Sequence, residues 1–298
     1  MRVLITGARG QLGAEIARCF ACGTSWLGAL PDAYRAAEVV ALGHDELDIA
    51  DYERVRAFFE AEAPFDVIFN CAAATNVDAC EYDEGYAQAG NVHGPRNLAL
   101  GCAQTGAKLV HFSTDYVFDG EADRAYVECD EPNPVNAYGR TKLAGEREVL
   151  AHCPDALVMR TSWLYGAAGG NFVKTMARLG RERDRADVVC DQVGCLTHAG
   201  DVAGAALQAA CMKTAGILHC SNAGAASWAD VAERVFALTG SACAVRRVTT
   251  EEYVAASQRP VLRPHMSALD CTRLREECGI EMRGWETALA QFVRETAL

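Results

Sequence analysis

The sequence predicts an α/β protein built on a doubly wound parallel sheet, with a smaller mixed α/β region after it. Three observations predict this. Short, nearly continuous apolar runs alternate with amphipathic stretches through residues 1–160, as parallel strands covered by helices on both faces require. A glycine-rich turn, Gly7-Ala-Arg-Gly10-Gln-Leu-Gly13, separates the first run from the first amphipathic stretch. Tyr138 and Lys142 stand in Tyr138-Gly-Arg-Thr-Lys142, and residues at i and i+4 share one helix face. Together they define a Rossmann-like architecture.

The elements follow in order. Arg2–Thr6 is a short β-branched run that ends at Gly7, hence a strand. Gln11–Ala21 has helical periodicity, and Val39–Leu42 reads as the second strand. Tyr52–Ala63 is a helix closed by Pro64, and Asp66–Asn70 the third strand. Val92–Gly106 is a helix and Lys108–Ser113 the fourth strand. Asn136–His152 is a long helix that opens just after Pro132 and Pro134, and Leu157–Thr161 the fifth strand. The second half is less regular. Helices are expected at Phe172–Arg181, Gly200–Met212, Ser227–Thr239 and Trp285–Thr296, and short strands at Gly216–Cys220 and Ala244–Val248. Gln258–Pro264, with two prolines, reads as an ordered loop. The expected division is a dinucleotide-binding unit over 1–160 and a mainly substrate-binding region over 161–298, with segments near 185–215 returning to the first unit.

The chain has 298 residues, half of them hydrophobic and 23% charged, with a net charge of −12. No basic run is long enough to track a phosphate backbone, which argues against a nucleic-acid partner. The N-terminus lacks the apolar stretch of a signal peptide, and no apolar run approaches the ~18 residues of a membrane span. Both point to the cytoplasm. The 14 cysteines are scattered, and Cys19-Phe-Ala-Cys22 has no second pair at zinc-site spacing. They read as reduced, small core hydrophobes.

The glycine turn has the context a nucleotide site needs, following a strand and opening a helix. Gly7 permits the tight turn, Gly10 lets backbone approach a pyrophosphate, and Gly13 allows close helix–strand packing. With Gln11 and Leu12 they place free N–H groups at a helix N-terminus, which favours anions. The second strand ends Ala41-Leu42-Gly43-His44, with no carboxylate placed to accept from a ribose 2′-hydroxyl. Arg9 in the turn suits a 2′-phosphate, so NADPH is expected, with NADH as the alternative. His44, Asp48 and Ile49 are candidates on the adenosine side, and Ala72, Ala73 and Thr75 follow the third strand on the same side of the sheet.

Ser113-Thr114-Asp115-Tyr116 ends the fourth strand. Ligands of open α/β sheets bind beyond such carboxyl ends, and a hydroxyl there can donate to a carbonyl oxygen. Asp115 reads as a turn carboxylate. Lowering a tyrosine from about 10 to about 7 takes about 4 kcal/mol of preferential phenolate stabilisation. One charge ~4 Å away, at an effective dielectric of about 20, supplies that much. Lys142 is the expected charge, and Arg140 lies on the wrong helix face.

In this order and at these distances, the motifs resemble the extended short-chain dehydrogenase/reductase family, and within it the dTDP-4-dehydrorhamnose reductases. The similar runs are Thr6–Gly13, Asn70–Asp78, Phe112–Phe118, Tyr138–Glu146, Arg160–Tyr165, Gly170–Phe172, Asp191–Gly194 and Arg263–Leu269. The resemblance implies reduction of the 4-keto group of dTDP-4-dehydro-6-deoxy-L-mannose to dTDP-L-rhamnose. It gives Thr114, Tyr138 and Lys142 the catalytic roles, with Tyr138 and Lys142 also contacting the cofactor, Lys142 by holding the nicotinamide ribose. Thr75, Val77, Tyr116, Trp163 and Asn171 match positions that line the family's sugar pocket. Arg263 is the candidate for the substrate diphosphate, ahead of Arg259 and Lys174. One departure is Leu196-Thr197, where the family has Pro-Thr. Dehydratases related to the family carry Thr-Asp-Glu where this chain has Thr114-Asp115-Tyr116. Elimination needs that carboxylate, so Tyr116 argues for reduction alone. The resemblance leaves open another sugar-nucleotide ketoreductase or epimerase, and a non-catalytic regulatory subunit of the methionine adenosyltransferase type. Some relatives dimerise around a magnesium ion held by glutamates; no full ligand set is evident here, and both monomer and homodimer remain open.

Overall fold

The computed structural model describes residues 1–255 and 261–298. Arg259 and the start of the expected Gln258–Pro264 loop lie outside the described residues. Arg2–Thr6, Glu38–Leu42, Val67–Asn70, Lys108–Thr114 and Leu157–Thr161 form strands β1 to β5. Further strands follow at Arg185–Val189 (β6), Gly216–His219 (β7) and Ala244–Val248 (β8). The helices are α1 (Gln11–Cys22), α2 (Tyr52–Ala61), α3 (Val77–Tyr82), α4 (Glu84–Gln88), α5 (Gly94–Thr105) and α6 (Ala137–His152). They continue with α7 (Phe172–Glu182), α8 (Ala199–Ala210), α9 (Trp228–Thr239), α10 (Thr250–Val254), α11 (Thr272–Cys278) and α12 (Trp285–Thr296).

The central sheet has six strands in the order β7-β5-β4-β3-β1-β2, all parallel. Alternation along each strand divides its side chains between two cores. Val3, Ile5, Phe69, Phe112 and Met159 face one core, closed by α1, α8 and α11. Leu4, Ile68, Leu109 and Val158 face the other, closed by α2, α5 and α6. The chain runs from β1 to β2 on one side and returns to β3 on the other. The crevice between β1 and β3 is therefore the topological switch point, where such sheets bind ligands.

A third core lies between α7, α9, α12 and the separate parallel pair of β6 and β8. Residues 185–189 belong to that pair, whereas α8 packs on α1 and β7 completes the central sheet. Among the described residues, no helix is long and apolar enough to cross a membrane.

The structure adds β6, α10 and α11, where no element was expected, and departs from the expected elements in two further regions. The helix expected to end at Ala63 stops at Ala61, because Glu62 turns extended (φ −89°, ψ 149°). The helix expected from Val92 is preceded by α3, α4 and a π-helical turn over Ala89–His93. That turn faces Asn91 inward, where its amide brackets Ala74: the Ala74 N–H donates to Oδ1 at 2.9 Å and Nδ2 donates to the Ala74 carbonyl at 3.0 Å. Asn91 Nδ2 also donates to Thr141 Oγ1 at 3.1 Å. One buried amide thus joins the segment after β3 to α6. Helix α6 comes this close because residue 145 is glycine; a Cβ there would lie 2.0 Å from the Asn91 carbonyl oxygen.

Candidate active site

The site assembles at the switch point. Gly7 follows β1 with φ +64°, and a Cβ there would meet the Ala72 nitrogen at 2.6 Å. Gly13 is equally constrained, since a Cβ would lie 2.4 Å from the Gly7 oxygen. Helix α1 starts at Gln11 after Gly10, which supplies no side-chain cap. Its first N–H groups are therefore left for an anion, with no acidic residue in the first turn to oppose one. This cradle fits the diphosphate of a dinucleotide. Gly13→Ala is expected to push α1 off the turn and weaken NADPH binding by about 5- to 150-fold, an overpacking cost of about 1–3 kcal/mol, read by titrating nicotinamide fluorescence.

A cavity of about 560 Å³ opens from the cradle. Gly10, Gln11 and Leu12 line it from one side, and Ala72, Ala73, Thr75 and Val77 from the segment after β3. Thr114 and Tyr116 enter from the end of β4, Tyr138 and Lys142 from α6, and Trp163 and Asn171 from the second region. The other sequence candidates lie elsewhere. Ile49 is buried in the α2–α5 core. Exposed His44 stands 3.8 Å from Asp48. Arg9 lies beside Gly43 at the end of β2, paired with Asp45 at 2.9 Å and Glu46 at 3.3 Å. Lys174 Nζ donates to the Ala167 and Gly169 carbonyls. Arg263 pairs with Asp78 at 2.9 Å and lines a second cavity of about 1100 Å³. Tyr116, Phe172 and Trp228 border both cavities.

Asn136 caps α6, its side chain accepting from the Gly139 N–H at 2.9 Å, so Tyr138 sits in the first turn and Lys142 in the second. Lys142 is buried, donating from Nζ to the Phe112 carbonyl at 2.6 Å. Burial pushes its pKa down to about 8, while Glu146 one turn on favours the ammonium. Tyr138 does not follow the sequence argument. Burial pushes the phenol above its ordinary range, with the Thr114 hydroxyl as the opposing influence. The Lys142 charge is turned to the β4 backbone and is not among the groups that shift the phenol.

Beneath these residues lies a fully buried polar network. Arg160 of β5 donates to Glu146 through Nε at 2.9 Å and Nη2 at 2.7 Å, and the Ser113 hydroxyl donates to Glu146 Oε1. The network spans β4, β5 and α6 directly under Thr114 and Lys142.

Sequence reading missed several lining residues. Trp228 stacks on Trp163 with ring centroids 3.6 Å apart and planes 5° from parallel. Trp163 holds a left-handed φ of 45°, an unfavourable conformation for a bulky residue. Gly194 makes room for its ring, since a Cβ there would meet Trp163 Cε2 at 2.6 Å. Leu196, the departure from the family's proline, is buried and lines the cavity. Arg183 and Arg185 join Arg263 around the second cavity. A surface arginine and a pocket arginine look alike in sequence, so only the fold separates them. Among the described residues, no group of three or more His, Cys, Asp or Glu side chains could hold a metal ion.

A parallel doubly wound sheet with a glycine cradle at its switch point, facing a Thr/Tyr/Lys set, defines the short-chain dehydrogenase/reductase class. The family described as the RmlD substrate binding domain matches residues 1–298. The chain belongs to this family. It is 42% identical to a dTDP-4-dehydrorhamnose reductase of Mycolicibacterium smegmatis, over 98% of this chain and 85% of that protein. The crystal structure of a dTDP-4-dehydrorhamnose reductase from Clostridium acetobutylicum superposes with a TM-score of 0.91 at 40% identity, covering all of both chains. That of a Bacillus anthracis dTDP-4-dehydrorhamnose reductase in complex with NADP gives 0.89 at 36% identity, over 99% of each chain.

Proposed function

We propose that the protein reduces the 4-keto group of dTDP-4-dehydro-6-deoxy-L-mannose to dTDP-L-rhamnose with NADPH. The observation that carries this reading is the convergence of Thr114, Tyr138 and Lys142 on one cavity with the glycine cradle. NADPH supplies the hydride when bound. Gly10, Gln11, Leu12 and the α1 N-terminus hold its diphosphate, Ala72 and Ala73 wall its path, and Lys142 holds the nicotinamide ribose. Lys142, at about 8, is still an ammonium at neutral pH. Tyr138 gives its proton to the C4 oxygen, while Thr114 orients that oxygen. Thr75, Val77, Trp163 and Asn171 enclose the sugar. The substrate diphosphate lies toward Arg263, with Arg183 and Arg185 adding positive charge. Tyr116 fills the place where elimination would need a carboxylate, which supports a reductase over a dehydratase. In this reading residues 1–160 carry the cofactor and 161–298 mainly the substrate, with α8 and β7 as the part that returns.

The direct test mixes the protein, NADPH and the 4-keto nucleotide sugar and follows the nicotinamide absorbance. Bound cofactor without oxidation would reject the reading. Arg9 tests the cofactor assignment separately. Its guanidinium is shared with Asp45 and Glu46, so its contribution to a 2′-phosphate is moderate. Arg9→Ala is expected to raise the KM for NADPH by about tenfold, the lower end for a charged hydrogen bond, and to leave the KM for NADH nearly unchanged. Equal effects on both would remove Arg9 from the 2′-phosphate.

A further inference from the structure

Asp115 is not used by the reading above, yet it lines the same cavity and is only 2% exposed. Its Oδ1 lies 3.0 Å from the Thr114 hydroxyl. Its Oδ2 is buried and has no hydrogen-bond partner among the described residues. Among the described residues, three titratable neighbours act on it. Tyr116 belongs to its own turn, Tyr138 to α6, and Cys195 to the segment before α8. The hydroxyls of Thr114 and Ser267 and two backbone N–H groups favour its anion. No cation is among these neighbours. Burial outweighs the hydrogen bonds and pushes its pKa up to about 7.

Thr114 Oγ1 already accepts from the Tyr116 N–H at 3.2 Å and meets the Tyr138 phenol. A hydroxyl has one proton to give, so the state of Asp115 decides where it goes. An ionised Asp115 takes the Thr114 proton for itself. A neutral Asp115 donates to Thr114 Oγ1 and leaves the Thr114 proton free for Tyr138 or the substrate oxygen.

We propose that Asp115 is a positioning residue of the reduction, directing the Thr114 hydroxyl and returning through it the proton that Tyr138 gives away. This rests on the reductase reading. The protons balance as follows. As the C4 carbon gains its hydride, the carbonyl π pair moves to oxygen, and that oxygen takes the Tyr138 proton. The phenolate takes the Thr114 proton, and Thr114 takes the carboxyl proton of Asp115. Asp115, left as a carboxylate, takes a proton from bulk solvent through the cavity after product leaves, so each turnover consumes one solvent proton. The half-buried phenol needs such a return, because desolvation makes its phenolate costly.

The test is the pH profile of kcat for wild type, Asp115→Asn, Thr114→Val and Thr114→Ser, between about pH 5.5 and 9, bracketing both perturbed groups. In wild type, kcat for reduction should fall about tenfold per pH unit above neutrality. Asp115→Asn should lower kcat by about 10²-fold on the acid side, the usual scale for losing a proton-transfer group. It should lose the limb near 7 and keep the KM of the sugar within about twofold. Lys142 also titrates in this range, at about 8, so the Asp115 limb is identified by its disappearance in the variant. Thr114→Val breaks the link with Asp115 in place and should erase the same limb, whereas Thr114→Ser should keep it. These two decide the matter even if Asp115→Asn does not fold. A wild-type profile in Asp115→Asn, or the limb persisting in Thr114→Val, would overturn the proposal alone. A wild type inactive on the 4-keto sugar with cofactor bound overturns the reductase reading and this proposal together.

Discussion

Replacing Tyr138 with phenylalanine is expected to lower kcat by about 10²–10⁴-fold, the range for loss of a general acid. The ring stays in place: it meets Tyr116 edge to face at 5.8 Å and contacts the small cluster of Ala74, Cys80 and Ala87. Neither contact needs the hydroxyl. The variant should therefore fold normally and bind NADPH with nearly unchanged affinity, since Lys142 keeps its bond to the Phe112 carbonyl. Single-turnover absorbance and a fluorescence titration separate the two quantities. A wild-type kcat would mean that another group supplies the proton, while a parallel loss of cofactor affinity would mean that the phenol is structural.

The second large effect concerns stability. Glu146→Gln is expected to cost about 3–5 kcal/mol, because removing one partner leaves the other as an uncompensated buried charge. The Arg160 and Glu146 side chains are 1% and 2% exposed. Arg160 also lies 5.1 Å above the Phe118 ring, so it cannot swing into water without opening the core. Urea unfolding measures the loss. Glu148→Gln, two residues along on an exposed face and 3.4 Å from His152, should change stability by less than about 1 kcal/mol. Equal midpoints for the two variants would show that the buried pair contributes no more than the surface one. Lys142 has Glu146 as its neighbouring anion, so any folded Glu146→Gln protein should also lose Lys142 protonation at lower pH than wild type.

What could be read from the sequence follows from the range of the interactions involved. The apolar runs of β1, β3, β4 and β5 are buried on both faces, so their composition announced them without any knowledge of their neighbours. The Gly7 turn was equally plain, since its requirements are set by a few adjacent residues. Asn91 was not legible, because its role depends on Ala74 and Thr141, far along the chain, and on a π turn with no periodic signature. Trp228 was hidden for a similar reason: it opens a helix with ordinary spacing, and only the fold sets it against Trp163. Helices α10 and α11, of five and seven residues, are too short for periodicity to show. Sequence likewise does not reveal that Asp45 and Glu46 reach Arg9. The expected lowering of the Tyr138 phenol failed for the same kind of reason: spacing put a cation nearby, but burial and the Phe112 carbonyl set the balance.

The stacked indoles of Trp163 and Trp228 carry an optical consequence. Indole emits where reduced nicotinamide absorbs, and this pair borders the cavity assigned to the cofactor. Excitation of the two rings should therefore pass to NADPH bound there, dimming the tryptophan signal and brightening the nicotinamide. The chain has only two other tryptophans, Trp26 and Trp285, neither of which lines that cavity. Such transfer would give the protein its own gauge of cofactor occupancy; an emission spectrum unchanged by saturating NADPH would place the cofactor away from the indoles.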